Sequence, residues 1–232
     1  STQGVSSAAS DVYKRQRSGN GMSGLKTGGL HMQAGDCLQI LREIKDVSFA
    51  SVDEQGNPQV RIIDVMLVEG DKLYFCTSRG KDFHRQMLQH PQIAITGMNS
   101  AYQMVRLQGR SIRLSQQEYW IHRIFDENPS MKDVYPGNSF SILDAFVVCD
   151  AQLEFFDLGR QPIERRYFTI GEASMPKKGF MIQESCIQCG SCIRHCPQQC
   201  IVCGEPCYIR QNNCLHCGLC AEVCPVHAII RR

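Results

Sequence analysis

The residues best equipped to do chemistry are cysteines near the C-terminal end. Of 14 cysteines in 232 residues, only Cys37, Cys76 and Cys149 precede Cys186, and the remaining eleven are crowded between Cys186 and Cys224. Eight of them form two ladders of identical spacing, Cys186-x-x-Cys189-x-x-Cys192-x-x-x-Cys196-Pro197 and Cys214-x-x-Cys217-x-x-Cys220-x-x-x-Cys224-Pro225. Three thiolates at two-residue gaps can wrap a tight loop around three corners of an iron–sulfur cube, while the fourth, set apart and followed by proline, points elsewhere. Gly190 and Gly218, each directly after a second cysteine, suit a backbone that passes close to such a group. Structural zinc would use two separated Cys-x-x-Cys pairs and leave the third and fourth thiols of each ladder without a role. A disulfide framework needs an oxidising compartment, and neither an apolar signal core nor an Asn-x-Ser/Thr sequon points to one. Two 4Fe-4S clusters are the expectation.

Residues 180–232 resemble the bacterial two-cluster ferredoxins over their whole length, including Cys224-Pro225-Val226-His227-Ala228-Ile229. In such proteins the fourth cysteine of each ladder serves the other cluster. The resemblance thus groups Cys186, Cys189, Cys192 and Cys224 around one centre and Cys196, Cys214, Cys217 and Cys220 around the second, and it implies low-potential electron transfer. Cys200, Cys203 and Cys207 depart from the eight-ligand pattern. They read as small buried residues near the clusters, Cys200 standing where this family often has alanine, or else as an extra metal site or a redox-labile thiol. The seven histidines show no ligand spacing, and His195 and His216 are expected as neighbours of the clusters.

The elements upstream follow a different pattern. Leu38, Leu41 and Ile44, with Ile40, keep a helical period and open a domain. Val47–Val52 and Val60–Val68 read as strands joined by the turn formers Asp53 to Pro58, and Leu73–Thr77 follows a second turn at Glu69-Gly70-Asp71. Lys81–Gln89, with Phe83, Met87 and Leu88 on one face, reads as a short helix stopped by Pro91. Ile93–Met98 and Tyr102–Leu114 form two further strands. Ser115 to Glu118 reads as a capping box before a helix at Tyr119–Phe125 that buries Trp120, Ile121, Ile124 and Phe125. A last strand is expected within Phe146–Phe156, with Val148, Asp150 and Gln152 alternating against Val147, Cys149, Ala151 and Leu153. Short strands with hairpin turns suggest a small antiparallel barrel.

These residues resemble the pyridoxamine 5′-phosphate oxidase-like, FMN-binding split barrels over Gln33–Leu158. The likeness rests on Gly56-Asn57-Pro58-Gln59-Val60-Arg61, on Leu73 through Lys81, on His90-Pro91 and on Val105 through Gly109. It implies a homodimer with FMN at the interface. Carried over by position, Arg61, Thr77, Ser78 and Lys81 become the candidates for its phosphate, Ile62, Ile63 and Cys76 offer backbone contacts to its ring or ribityl chain, and Gln103 is a further candidate around which the alignment can slip by one residue. Independently of the family, Thr77, Ser78, Arg79 and Lys81 put hydroxyls and cations at the mouth of one strand before a helix N-terminus, as a phosphate dianion requires. On local sequence alone Arg79 and Lys81 could instead be a solvated loop, and Arg61 an ion-pair residue. The substrate-phosphate arginine at the end of the true oxidases is replaced here by residues 159–179 and the cysteine-rich unit, which argues against vitamin oxidation. The same barrel elsewhere holds haem or a deazaflavin.

The whole chain then reads as a mainly β split barrel with α-helices plus a small α+β two-cluster ferredoxin domain. Its expected organisation is a disordered or non-native leader (1–31) resembling translated adapter sequence, the barrel (32–158), a linker (159–179) and the ferredoxin unit (180–232), with Met22 or Met32 as the natural start. Gly19-x-Gly21-x-x-Gly24 lies in that leader without the preceding strand a dinucleotide site needs. A net charge of +2 excludes a polybasic nucleic-acid or membrane surface, and the longest apolar runs, such as Ala145–Cys149, fall far short of the ~20 residues that span a bilayer. No paired carboxylates or Ser/His/Asp arrangement stands out. The expected function is an FMN-dependent iron–sulfur oxidoreductase in a reducing cytoplasm, passing electrons between two 4Fe-4S clusters and FMN to an unknown acceptor. Its partners would be a redox protein or a small-molecule donor or acceptor. The alternative is an electron carrier or redox sensor without a small-molecule substrate.

Overall fold

The computed structural model describes residues 32–232, so the leader and its glycine pattern lie outside the described residues. Helix α1 (Ala34–Ile44) buries Cys37, Leu38 and Leu41 and ends at Lys45, where a positive φ of 68° turns the chain into β1 (Asp46–Val52). Strand β1 buries every second residue, Val47, Phe49 and Ser51. The following turn is tied by the Asp53 carboxylate, which accepts the Gln55 and Asn57 backbone N–H groups at 3.0 and 2.8 Å, and Gly56 supplies φ +84°. Strand β2 (Pro58–Asp64) then pairs antiparallel with β1.

A single strand was expected over Val60–Val68, but the structure divides it. At Val65 and Met66, both buried, the backbone N–H groups go to Lys45 O and Tyr74 O, and β3 (Leu67–Glu69) pairs with β4 (Lys72–Ser78). With β5 (Gln92–Met98), β6 (Gln103–Arg113) and β7 (Leu143–Asp157) added, sheet order is β2-β1-β5-β6-β7-β4-β3, so β2 and β3, adjacent in sequence, lie at opposite ends of the sheet. The corner Val65–Met66 joins these ends without a ladder between them, which is what splits the barrel.

Helix α2 (Asp82–Gln89) buries Phe83, His84, Gln86 and Met87, whereas Leu88 faces solvent. Strands β5 (Gln92–Met98) and β6 (Gln103–Arg113) are joined by a turn in which Asn99 Oδ1 accepts the N–H groups of Ala101 and Gln103. The capping box expected at Ser115 to Glu118 does not form. Helix α3 (Gln117–Glu127) starts without a side-chain cap, and the Gln117 amide instead bonds Leu114 O and both backbone groups of Ala145, stitching helix to sheet. Trp120, on α3, is half-buried and stacks on Tyr74 at 4.6 Å. After the short α4 (Met131–Val134), β7 (Leu143–Asp157) runs fifteen residues and pairs with β4, β6 and β8. It is buried on both faces over most of its length rather than alternating. Within 159–179, expected as a linker, β8 (Glu164–Ile170) adds a seven-residue edge to β7.

The barrel interior is aromatic: Phe75 meets Phe49 at 5.0 Å and Phe146 at 5.4 Å, and Phe83 closes on Phe49 at 5.1 Å. Helix α1 packs against β3 through β8, with Leu38 and Leu41 fully buried.

The C-terminal unit is an internal repeat in space as well as in sequence. Strand β9 (Phe180–Ile182) pairs with β12 (Ile229–Arg231), β10 (Ile201–Val202) pairs with β11 (Tyr208–Ile209), and the short helices α5 (Ser191–His195) and α6 (Leu219–Glu222) occupy matching places. Left-handed residues recur with them: Gln188 and His216 at φ 58°, Gly190 and Gly218 at 70° and 87°, Gln199 and His227 at 50°. Its core combines Ile182, Ile201, Ile209 and Ile229 with cysteines. Gln33–Arg232 form one compact unit. No helix among the described residues is long and apolar enough to cross a membrane.

Candidate functional site

In the barrel, β2, β4 and the start of α2 enclose a cleft of about 590 Å³. Arg61, Ile62, Ile63, Cys76, Thr77 and Lys81 all line it, so six of the nine candidate residues converge. Arg61 is held before any ligand arrives. Its guanidinium donates to Ser51 Oγ at 2.6 Å and Gln86 Oε1 at 2.9 Å, and it lies 4.4 Å over the Phe83 ring. Burial pulls its pKa down, but an arginine stays charged. The buried Thr77 hydroxyl and the exposed Lys81 complete a set suited to an anion. Burial pushes the Cys76 thiol up to about 12, so at neutral pH this side chain is an inert wall and its use lies in the backbone.

Ser78, Arg79 and Gln103 are not brought to the cleft. Arg79 turns toward Asp144 at 3.4 Å, a carboxylate that also receives Arg113 at 2.6 and 3.1 Å and the His84 ring at 2.7 Å. Burial alone would raise the Asp144 pKa, but the Arg113 and His84 hydrogen bonds outweigh it and bring it down to about 2. Gln103 lies at the β5–β6 turn, bonded to Asn99 and Asp157. Sequence reasoning missed Gln86, Met131 and Tyr135, which also line the cleft. Gln86 was detectable as the residue three positions after Phe83 on the same helical face, whereas Met131 and Tyr135 follow α3 and carry no local signal. Along edge strand β2, Val60 and Ile62 are 72% and 63% exposed, an apolar stripe beside the cleft.

The cysteines line two further pockets. Cys186, Cys189, Cys192 and Cys224 surround the first, joined by Cys207; Cys196, Cys214, Cys217 and Cys220 surround the second, joined by Cys200. Apart from these thiols, aliphatic side chains dominate the walls, with Ile187, Val226 and Ile229 in the first and Phe180, Ile201 and Ile209 in the second. The left-handed residues turn backbone N–H groups onto sulfur. Gln188 N–H donates to Cys186 Sγ at 3.4 Å, His216 N–H to Cys214 Sγ at 3.3 Å and Ala228 N–H to Cys224 Sγ at 3.2 Å. Among the described residues no three His, Cys, Asp or Glu groups gather tightly enough for a lone metal ion, a proximity that a cube carrying its own sulfides does not require. Four ladder thiols in each pocket, beside one further cysteine, together with apolar walls and N–H groups aimed at sulfur, fit an iron–sulfur cluster. The neighbouring Cys200 thiol and the His216 N–H together hold the Cys214 thiol below its ordinary pKa.

The second pocket abuts the barrel. Asn213 donates to Ile163 O at 2.8 Å, and Arg165 on β8 donates to Leu215 O at 3.5 Å, inside the loop between Cys214 and Cys217. Arg165 is itself buried, ion-paired with Glu154 and stacked on Phe156 at 4.3 Å.

Residues 35–129 match the family described as pyridoxamine 5′-phosphate oxidase, and residues 207–230 match the family described as 4Fe-4S binding domain. The chain therefore joins an oxidase-like split barrel to a ferredoxin-type iron–sulfur domain. Among solved structures, a NimC/NimA family protein from Clostridium acetobutylicum is similar with a TM-score of 0.50 and 23% identity, over 58% of this chain and 90% of that one. A haem-binding protein from Mycobacterium smegmatis is similar at 0.47 and 16%, over 60% and 59%. A pyridoxamine 5′-phosphate oxidase-related, FMN-binding protein from Nostoc punctiforme is similar at 0.43 and 16%, over 60% and 87%. No curated protein matches the chain.

Proposed function

We propose that this protein is a flavin/iron–sulfur oxidoreductase, holding FMN in the barrel cleft and one 4Fe-4S cluster in each cysteine pocket. The observation that carries this reading is the presence, within one compact unit, of a cleft with a prefixed arginine and two pockets that each gather four ladder thiols. When bound, the clusters would supply single electrons and the flavin would interconvert these with two-electron, hydride-like chemistry on an acceptor.

In the cleft Arg61, Lys81 and Thr77 bind the phosphate dianion. Arg61 does so at low reorganisation cost because Ser51, Gln86 and Phe83 already hold it. The backbone at Ile62, Ile63 and Cys76, which lines the same cleft, would be available to the ring and ribityl chain. In the pockets, Cys186, Cys189, Cys192 and Cys224 hold one cluster and Cys196, Cys214, Cys217 and Cys220 the other, with isoleucine and phenylalanine walls excluding water. A second copy of the chain covers the exposed Val60 and Ile62 on the free edge of β2, making a homodimer. Oxygen-labile clusters and the exposed Cys189, Cys203 and Cys217 thiols suit a reducing cytoplasm and an exchange partner that is a redox protein or a small molecule.

Anaerobic purification with iron, sulfide and released-flavin analysis tests the assignment. The expected result is about eight irons and one FMN per chain. Eight irons without flavin would remove the flavin from the reading and leave an iron–sulfur carrier. Rapid reoxidation by one small-molecule class supports an enzyme, whereas discharge only into a protein supports a carrier.

A further inference from the structure

The repeat exposes a residue that the eight-ligand pattern does not use. Each position of the first ladder recurs 28 residues later, Cys186 at Cys214 and Cys196 at Cys224, which pairs Cys200 with Ala228. Ala228 is fully buried behind the first pocket and offers its backbone N–H to Cys224 Sγ. Its counterpart Cys200 is 3% exposed, lines the second pocket and places its Sγ 3.6 Å from Cys196 Sγ. One half of the repeat therefore carries a buried thiol where the other carries a methyl group.

Geometry alone leaves the direction of the Cys196–Cys200 hydrogen bond open, since either sulfur could donate. The chemistry of the pocket decides it. A cysteine bound to iron has no proton and can only accept, and a third buried thiolate beside two anionic ligands would be left without compensation. We propose that Cys200 is a positioning and tuning residue of the second cluster, its S–H donating to the Cys196 ligand sulfur and making that cluster easier to reduce. Hydrogen bonds to ligand sulfur stabilise the more negative, reduced state, and they are among the levers that set cluster potentials. The second pocket is also the one whose loop meets β8 at Leu215, next to the Asn213 bond to Ile163 just before that strand. A thiol at this position biases the electron toward the barrel side of the unit.

The inference rests on the reading of the second pocket as a cluster site. The test compares the anaerobic wild-type protein with Cys200→Ala, which installs the residue of the repeat mate, with Cys200→Ser, which keeps an O–H donor, and with Cys207→Ala as a control in the other pocket. Iron and sulfide are counted first, and both clusters are then titrated potentiometrically with electron paramagnetic resonance detection. The expected result is eight irons in every variant and a lower potential for one cluster in Cys200→Ala, on the order of a tenfold change in its one-electron reduction constant, about 59 mV. Cys200→Ser restores most of that shift, Cys207→Ala leaves that cluster's potential in place, and an exchangeable proton coupling present in the wild type is lost in Cys200→Ala. Unchanged potentials with full iron would overturn the proposal. So would a loss of four irons in Cys200→Ala accompanied by retention in Cys196→Ala, because Cys200 would then be a ligand rather than a donor. Fewer than eight irons in the wild type would instead overturn the two-cluster reading itself, and the tuning role with it.

Discussion

The barrel and the C-terminal unit are organised by opposite means. The barrel carries its own core, with Phe49, Phe75, Phe83 and Phe146 in mutual contact and Leu38 and Leu41 fully buried on α1. Its cleft is a by-product of how β2, β4 and α2 meet. The C-terminal unit has strands of only two or three residues, helices of four or five, and a core in which cysteines outnumber aliphatic residues. Where a fold has a sufficient apolar core, a ligand occupies a finished site. Where it lacks one, metal-binding free energy is folding free energy.

That contrast gives the largest predicted effect. Stripping iron with an anaerobic chelator should unfold residues 180–232 while the barrel persists. Limited proteolysis should then remove the C-terminal unit first, with the β-sheet circular dichroism signal of the barrel retained; simultaneous loss of both would show that the barrel depends on its neighbour. A smaller effect separates the two arginines of the flavin reading. Arg61→Ala should weaken FMN retention about 10–100-fold, the worth of a charge-assisted hydrogen bond of roughly 1.5–3 kcal/mol, measured by fluorescence of released flavin. Arg79→Ala, whose side chain is turned to Asp144, should weaken it far less. An effect of similar size belongs to the barrel's buried carboxylate. Because the folded Asp144 pKa is depressed to about 2, its stabilisation is complete above the unfolded value near 4 and is lost as pH falls toward 2. Asp144→Asn should therefore lower barrel stability by about 2 kcal/mol at pH 6 to 7, and the gap to the wild type should narrow below pH 4 in denaturant titrations.

Legibility in the sequence followed the same division. The cysteine ladders could be read directly because their thiols sit within eleven residues of one another, and the repeat in spacing reappears as a repeat in left-handed backbone at Gln188, Gly190, Gln199 and their mates. In the barrel, periodicity located most strands, but the run Val60–Val68 concealed a corner. A continuous apolar stretch has the same appearance whether it stays in one sheet position or crosses to the other end. Arg79 and Lys81 are indistinguishable as cations in a turn; the difference is that buried Asp144, sixty-five residues away on β7, captures one of them. Strand β8 was read as linker because its charged residues Glu164, Arg165 and Arg166 hide its pairing with β7.

By itself the sequence determined the chemistry: thiols at metal-binding spacing and a basic, hydroxyl-bearing turn after a strand. Spacing along the chain suffices for this, since a ligand loop is made of near neighbours. The tertiary structure decided which thiols share a pocket with Cys200 and Cys207, which of the cations face the cleft, and that the loop of the second pocket meets β8. Those outcomes depend on contacts between residues tens of positions apart, set by the curl of the sheet and by buried charges finding partners, and neither has a signature in local pattern.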